Sequence, residues 1–486
     1  MKKRYLDAFF IALTGFLTIL ICSKSSPLYP LNDWVDANCY MTVGRAMTEG
    51  MLPYRDLFEH KGPLLYMLHA AAAMISDSSF FGVFLFEAAA CIWFLYHSGS
   101  LFRRFSGNSS LWAIPFIAMT VYGSYTFCHG DSAEEFCLPL ILCAFMSGLN
   151  CIESGKPLSA KDSFFIGITA GIIFWTKFNL LGYFIGMFLV LAVKSLKNGF
   201  YSLVRMCSYI VLGVGTVSLP VILYFAANNA LYSLAEVYFY NNIFVYGGEK
   251  TPILRNLADG VLFTVKFLPI GSVLIITGIS AAVIRRKITY LLYGGASLIT
   301  AFLGAFAGHL SYQYYPLVLA PFAVIFGAML IPDNVKSGKI AVPVSFVICI
   351  AGAFILSPNT YLMKYRKNQL PQYRFAEIIN ETDSPTLLNY GFLDGGFYLA
   401  AGIIPEQRYF CRNNLDFPAM TEAQRRCADA GLTDYIVTRS TSGKHPDFGL
   451  YTCVAHEEFP YYDKNLHYFL YKRNEGTAGA GAESRS

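Results

Sequence analysis

The stretch between Asn32 and Pro63 concentrates groups that can do chemistry in a chain that is otherwise mostly apolar. It carries carboxylates, basic side chains and a histidine directly after the first apolar segment, with aromatic residues, proline and glycine between them. A cluster of charged groups beside its first span gives a membrane protein no structural benefit and usually marks a functional site. A carboxylate there can accept a proton from an attacking hydroxyl, and paired carboxylates can hold a divalent cation.

Asp36 and Asp33 are the candidate catalytic residues of this stretch. They are three positions apart, so a helical turn would place both on one face. We expect Asp36 to be the key carboxylate. The alternative is a solvated loop in which one of the two aspartates only caps a helix.

The second half of the stretch is a candidate phosphate-binding segment. Its residues are Tyr54, Arg55, Asp56, Glu59, His60 and Lys61, and it leads into a short apolar segment at 62–76 that we interpret as an interfacial helix. The basic side chains could bind an anionic head group while the aromatic ones lie at the membrane interface. Simple interfacial anchoring with salt bridges is the alternative.

Three further groups at membrane boundaries are candidates for substrate contact. The short loop at 127–136 carries acceptor or metal candidates, although Glu134 and Glu135 could equally be charges at a helix N-terminus. Lys177 lies between two short apolar segments and could contact a phosphate or extend to the interface. The segment 308–316 is rich in His, Gln and Tyr, for which an aromatic belt is the alternative. The candidates are His129, Asp131, Glu134, Glu135, Lys177, His309, Tyr312, Gln313 and Tyr315.

The composition predicts a polytopic α-helical membrane protein. Of 486 residues, 55% are hydrophobic and only 14% are charged, whereas soluble domains carry roughly 25% charged residues. Because a span needs roughly 20 apolar residues, about eleven spans are expected. No stretch resembles a basic nucleic-acid-binding patch. The predicted spans are 7–23, 80–101, 110–128, 134–152, 163–176, 178–194, 205–227, 259–283, 289–308, 313–331 and 340–357.

The distribution of Lys and Arg sets the expected orientation. With eleven spans and the N-terminus inside, every inner loop is basic, as the positive-inside rule requires. The acids of the first loop, 24–79, and of the loop at 127–136 then fall on the outer face. Since acids contribute little to topology, their concentration there predicts an extracytoplasmic functional site. The first span reads as a retained signal anchor.

After residue 357 the composition becomes that of an ordinary globular domain. Residues 358–473 are expected to form a small extracytoplasmic α/β domain with strands at 386–390, 435–438, 451–454 and 468–471, and a helix at 394–401. The tail, 474–486, is low in complexity and is expected to be disordered. The three cysteines of this region, Cys411, Cys427 and Cys453, allow one internal disulfide at most.

Residues 1–357 are therefore expected to form the transmembrane catalytic domain, and its motifs resemble the GT-C superfamily of membrane glycosyltransferases. The resemblance rests on Gly44 to Tyr66, the acidic loop at 131–135, the stretch from Gly171 to Lys177, and the spacing of His309, Tyr312 and Tyr315. It is strongest for the bacterial branch related to protein O-mannosyltransferases and the lipid A aminoarabinose transferase.

The resemblance implies a sugar donor linked to polyprenyl phosphate, inversion at the anomeric carbon and an outward-facing site. The first-loop acid would be the general base, a role that falls to Asp36. The expected partners are the donor, membrane lipids and an extracytoplasmic glycan, lipid or protein acceptor, with no nucleic acid. A divalent cation is the only cofactor considered, and the bacterial plasma membrane is the expected location.

Two other classes of function stay open at this point. A lipid-linked saccharide flippase would carry charges deep in its central spans and paired broken helices, whereas the polar groups here gather on one face. A surface polysaccharide polymerase or ligase would use a lipid-pyrophosphate donor instead. A non-catalytic scaffold fits poorly with the acids of the first loop.

Overall fold

The computed structural model describes residues 2–106, 111–246, 251–308, 312–331, 340–415, 417–461 and 464–475, with side chains from residue 5 onward. The chain forms two compact units. The helical unit comprises Met1–Leu28, Phe84–Tyr224 and Glu249–Tyr361, and the mixed unit comprises Tyr29–Val83, Phe225–Gly248 and Leu362–Ser486.

The described residues are mainly helical and carry one small sheet. In chain order the α-helices are α1 (Lys2–Cys22), α2 (Val35–Thr48), α3 (Pro63–Ala73), α4 (Phe81–Ser106), α5 (Ala113–Tyr122), α6 (Ala133–Ser154), α7 (Ala160–Lys177), α8 (Gly182–Lys197), α9 (Phe200–Ala227), α10 (Leu231–Ser233), α11 (Ile253–Phe267), α12 (Pro269–Ile284), α13 (Ile288–Phe306), α14 (Ala320–Gly327), α15 (Ala341–Leu356), α16 (Pro371–Ile379), α17 (Phe397–Ala401) and α18 (Pro418–Asp429). The strands are β1 (Leu387–Asn389), β2 (Tyr435–Ser440), β3 (Tyr451–Tyr461) and β4 (Lys464–Arg473).

Helices of the helical unit have the length and composition of membrane spans. Within the described residues six helices qualify, or seven if α11 and α12 count as one bent span. Their outer surfaces are apolar: Val211 and Leu219 on α9 are 69% and 58% exposed. Exposed apolar side chains on this scale fit a lipid environment better than water. The count of eleven spans and the inner N-terminus stay predictions.

The single span predicted at 259–283 is divided between two helices. Helices α11 and α12 meet at Leu268 with a bend of 107°. Pro269 lacks a backbone N–H and restricts the residue before it, which leaves Leu268 outside the helical region at φ −127° and ψ 54°. The two spans predicted at 163–176 and 178–194 fall on α7 and α8, which a 3-10 turn at Phe178–Leu181 separates. Together they form one apolar helical segment of 38 residues, Ala160–Lys197, which counts as one of the six.

The small domain predicted after residue 357 contains the sheet. The strand order is β1-β2-β4-β3, with β1 parallel to β2 and the other pairs antiparallel. All four strands and helix α17 fall where the sequence pattern predicts them, and α16 and α18 are additional. The expected disordered tail falls, from residue 476 on, outside the described residues, and the boundaries at 357 and 473 stay predictions.

In the first loop, α2 and α3 pack in close contact because Gly44 has no side chain. A Cβ at this position would lie 2.6 Å from the backbone carbon of His69 and 2.7 Å from the nitrogen of Ala70. Backbone atoms cannot move aside independently, so α3 would have to shift. This packing fixes the position of α2 relative to the turn that precedes α3.

Gly44→Ala is expected to lower the free energy of unfolding by about 1–3 kcal/mol through overpacking. The thermal unfolding temperature of the purified protein measures the effect. Gly295→Ala on α13 is the control, because a Cβ there would meet nothing within 4 Å and alanine favours a helix. Equal unfolding temperatures for both variants would contradict the close approach of α2 and α3.

Candidate active site

The mixed unit holds Asp36 at the start of α2. Trp34 is the N-cap residue in an extended conformation, the helix begins at Val35, and Asp36 lies in its first turn. A carboxylate is stabilised there by the exposed N–H groups of the helix end. Asp33 precedes the cap, so the two aspartates do not share a helical face as the spacing had suggested.

Asp36 forms a largely buried ion pair with Lys61. The Nζ atom of Lys61 lies 3.8 Å from Oδ2 of Asp36, and the side chains are 13% and 9% exposed. The hydroxyl of Tyr40, one turn further along α2, lies 3.4 Å from the same oxygen. Lys61 also lies over the Tyr40 ring, 5.7 Å from its centroid. Charges that are partly shielded from water attract each other more strongly than exposed charges. The attraction between Asp36 and Lys61 is therefore stronger than that of a surface ion pair.

Hydrogen bonds hold the backbone of Lys61 in place. Its N–H donates to Oε2 of Glu59 at 3.0 Å and to the Tyr66 hydroxyl at 2.8 Å. Its carbonyl accepts from the Tyr54 hydroxyl at 2.7 Å, and the Tyr66 hydroxyl donates to Glu59. Tyr54 and Tyr66 are both fully buried. The two tyrosines therefore position the lysine. The sequence had suggested a different role for Tyr54, that of an anchor at the membrane interface.

Glu59 and His60 form a buried pair next to the lysine. The Nδ1 atom of His60 lies 3.2 Å from Oε1 of Glu59. Burial alone would raise the pKa of Glu59, but His60, Lys61 and the Tyr66 hydroxyl outweigh it and lower that pKa below its ordinary value. Burial and the charge of Lys61 lower the pKa of His60. The carboxyl of Glu59 is therefore ionised at neutral pH.

Arg55 is less available for a ligand than the sequence suggested. Its guanidinium contacts both oxygens of Asp56, at 2.7 and 2.9 Å, and donates to the carbonyl of Asn228 at 3.2 Å. The hydrogen bond from Arg55 lowers the pKa of Asp56. A bidentate pair of this kind is geometrically specific, which favours a structural role for both residues.

The C-terminal segment of the mixed unit contributes a buried carboxylate to α2, which sequence reasoning missed. Oδ2 of Asp394 accepts from the Thr42 hydroxyl at 2.6 Å, and Oδ1 accepts from the Gly396 N–H at 2.8 Å. Arg45 donates to the carbonyls of Tyr398 and Ile403 at 3.3 and 3.2 Å. The contacts of Thr42 and Arg45 join segments about 350 positions apart in sequence. No local sequence pattern predicts them.

Asp394 is expected to make stability fall as pH rises between about 4 and 6. Burial raises the pKa of its carboxyl from 3.8 to about 6, although Thr42 and Gly396 donate to it. The folded chain therefore binds more protons than the unfolded chain in this interval, and ionisation destabilises it by roughly 3 kcal/mol at most. Asp394→Asn should flatten this part of the curve of unfolding temperature against pH. The exposed Asp383→Asn is the control, and parallel curves for native chain and Asp394→Asn would contradict the assignment.

The helical unit brings Lys177 together with Glu134 and the tyrosines of the segment at 312–315. Nζ of Lys177 lies 2.5 Å from Oε1 of Glu134 and 4.9 and 5.3 Å from the ring centroids of Tyr315 and Tyr314. Tyr312 stacks on Tyr314. The attraction between the cation and the ring faces stabilises this cluster. His309, predicted to join it, lies outside the described residues.

The other acids of the loop at 127–136 form a buried hydrogen-bonded cluster. The N–H of Asp131 donates to Glu87 at 2.7 Å and to Glu135 at 3.0 Å, and the Ser23 hydroxyl donates to Glu87. Ser132 caps α6 by accepting from the N–H of Glu135. This geometry favours a structural role for Glu135, with Glu87 as its partner.

His129 and Gln313, two further candidates from the sequence, also lie in the helical unit. The His129 carbonyl accepts from the Lys24 N–H at 2.9 Å, and burial and the charge of Lys24 lower the pKa of its ring. Gln313 contacts the sulfur of Cys128. Among the residues the structure describes, no three His, Cys, Asp or Glu side chains come together as metal ligands.

An apolar cavity of about 290 Å³ also belongs to the helical unit. It lies between α7, α8 and α9 and is lined by Ile166, Ala170, Phe184, Met187, Leu191 and Ile210, among others. A cavity without polar lining groups suits a hydrocarbon chain.

Comparison with solved structures shows the fold. The crystal structure of ArnT from Cupriavidus metallidurans in the apo state matches with a TM-score of 0.67 and 13% identity, over 99% of this chain and 100% of that chain. The structure of the same protein bound to undecaprenyl phosphate matches with a TM-score of 0.66 and 12% identity, over 99% of each chain. The chain therefore has the fold of ArnT. No protein-family profile and no curated protein matches its sequence.

Proposed function

We propose that this chain is a membrane glycosyltransferase that moves a sugar from a polyprenyl-phosphate donor to an extracytoplasmic glycan, lipid or protein. The observation that carries the proposal is the partly buried pair of Asp36 and Lys61, 3.8 Å apart, within a chain that has the fold of ArnT over its full length. ArnT has been solved with undecaprenyl phosphate bound, which supports a lipid-phosphate donor for this chain as well.

In the proposed reaction the acceptor hydroxyl attacks the anomeric carbon of the donor sugar. The bond between that carbon and the phosphate oxygen breaks, its electron pair leaves with polyprenyl phosphate, and the configuration inverts. The hydroxyl proton passes to Asp36. Since phosphate is already a good leaving group, the reaction needs positive charge at the departing oxygen more than it needs a general acid.

Lys61 supplies that positive charge in the proposal. Its backbone is held by Glu59, Tyr54 and Tyr66, so only the side chain has to move from Asp36 to a phosphate. The same movement would remove a counter-charge from Asp36 and leave its carboxylate ready to accept a proton. In this proposal the pair of Lys61 and Asp36 opens only when the donor binds. Donor binding therefore activates Asp36 as the base.

Asp36 is a better candidate for the base than Asp33 because it lies in the first turn of α2 and contacts the lysine directly. Lys177 is a second candidate for phosphate contact, but its 2.5 Å pair with Glu134 keeps it neutralised. The apolar cavity beside α7, α8 and α9 supports a hydrocarbon tail in the helical unit. A divalent cation has no supporting ligand set among the described residues and is not part of the proposal.

Transfer assays with two matched sets of labelled donors test the proposal. Membranes with and without the chain are given polyprenyl-phosphate sugars or the corresponding polyprenyl-pyrophosphate sugars. We expect chain-dependent transfer from the monophosphate set alone, with the opposite anomeric configuration in the product. The configuration is read by glycosidase digestion or NMR.

Each other outcome favours a different function. Transfer from the pyrophosphate set alone would replace the proposal with a polysaccharide polymerase or ligase. Movement of the lipid-linked sugar across the bilayer without turnover would replace it with a flippase. Retention of configuration would exclude a single displacement at the anomeric carbon with Asp36 as the base.

A further inference from the structure

Two buried cysteines of the mixed unit meet although they are far apart in the sequence. Cys39 lies on α2, and Cys411 lies between α17 and α18. Their sulfur atoms are 3.7 Å apart, and the residues are 372 positions apart. Both are about fully buried, at 1% and 0% exposure.

Independent hydrogen bonds hold each cysteine where it is. Thr42, one turn beyond Cys39 on α2, donates to Asp394 at 2.6 Å. Beside Cys411, the N–H of Arg412 donates to the Phe392 carbonyl at 2.9 Å. Asn413 donates to the Phe58 carbonyl at 3.0 Å. The contact between the sulfurs therefore follows from the packing of these segments and not from a single flexible side chain.

The surroundings argue against a reactive thiol or a metal ligand. Burial raises the pKa of both thiols. The sulfur of Cys411 raises the pKa of Cys39 further, whereas the sulfur of Cys39 lowers that of Cys411 without outweighing burial. A protonated thiol is neither a nucleophile nor a good ligand. Within the described ranges no third His, Cys, Asp or Glu completes a metal site around the pair.

We propose that Cys39 and Cys411 form a structural disulfide that joins α2, the helix bearing Asp36, to the C-terminal domain. The sulfurs would have to approach by about 1.7 Å to reach bonding distance. The two thiols lose two protons and two electrons, and a thiol–disulfide oxidant is reduced from disulfide to dithiol by two exchange steps through a mixed disulfide. Because both positions are buried, the bond would form during folding and then be shielded from reductants.

This inference rests on the proposed extracytoplasmic placement of the mixed unit, because disulfides persist in oxidising compartments. It differs from the expectation drawn from the sequence, which allowed at most one disulfide among the three cysteines of the C-terminal region. Cys411 instead contacts a cysteine of the first loop. Cys427 is buried in the core of the C-terminal domain and Cys453 is exposed.

Differential alkylation of the full chain tests the bond. Membranes are lysed in denaturant with a first alkylating reagent, reduced, and treated with a second reagent of different mass. Among the twelve cysteines, we expect the second label only on Cys39 and Cys411, and a peptide spanning both in the unreduced digest. Cys427→Ser and Cys453→Ser should keep this pattern, whereas Cys39→Ser and Cys411→Ser should each abolish it.

The first label on both residues, or a disulfide between another pair, would overturn the inference. The labelling pattern of the native chain is sufficient to test the disulfide. A variant that fails to fold therefore does not affect the conclusion. The transfer assay is run on the same membranes. Transfer with both thiols free would contradict the disulfide and support the proposed function. A disulfide without transfer would support the disulfide and contradict the proposed function.

Discussion

Replacing Asp36 with asparagine is expected to lower the transfer rate by about 10²–10⁴-fold, the range that a positioned general base contributes. The substitution keeps the size of the side chain, its place in the first turn of α2 and an oxygen for the Tyr40 hydroxyl. It removes the group that would take the proton from the acceptor. The measurement is the initial rate of sugar transfer at saturating donor and matched protein level.

Asp33→Asn is the matched control for this variant. It makes the same change of charge three positions away, before the cap of α2, and should leave the rate within a few-fold of the native chain. The reverse pattern would assign the base to Asp33. A donor KM that is unchanged in Asp36→Asn would separate loss of the base from loss of donor binding.

Much of the site could be predicted from sequence because its chemistry is local. Asp36 and Lys61 stood out as charged residues beside an apolar span, and Tyr66 belonged to the resemblance that implied the fold. Their mutual contact was not predictable, because it depends on how α2 packs against α3 through Gly44. The pair of Arg55 with Asp56 was not predictable either, and it makes Arg55 less available for a ligand.

The features that sequence reasoning missed connect distant segments. Asp394 and Thr42 are polar residues of ordinary appearance until the fold brings them to 2.6 Å, and the same holds for Cys39 and Cys411. The bend at Leu268 is different, because Pro269 was visible in the sequence. Hydropathy averaged over a window ignores the backbone donor that proline lacks, so the apolar run was predicted as one span without the bend.

Lys61→Met is expected to lower transfer by about 10²–10³-fold, because a well-placed donor to a developing negative charge contributes on the order of 3 kcal/mol. Methionine retains the apolar stem over the Tyr40 ring and removes only the charge. In the native chain that charge faces both Asp36 and Glu59, so its removal also leaves two acids without their cation. Thermal unfolding of the purified variant must therefore accompany the rate measurement.

Lys61→Arg separates charge from geometry. Arginine restores a cation, but its planar fork does not replace the point charge of a lysine, so we expect partial recovery of the rate and a raised donor KM. Lys364→Met, an exposed residue of the mixed unit, is the control for loss of a positive charge. If Lys61→Met were folded and transferred at the native rate, the departing phosphate would have to be stabilised elsewhere. Lys177, freed from Glu134, would then be the residue to replace next.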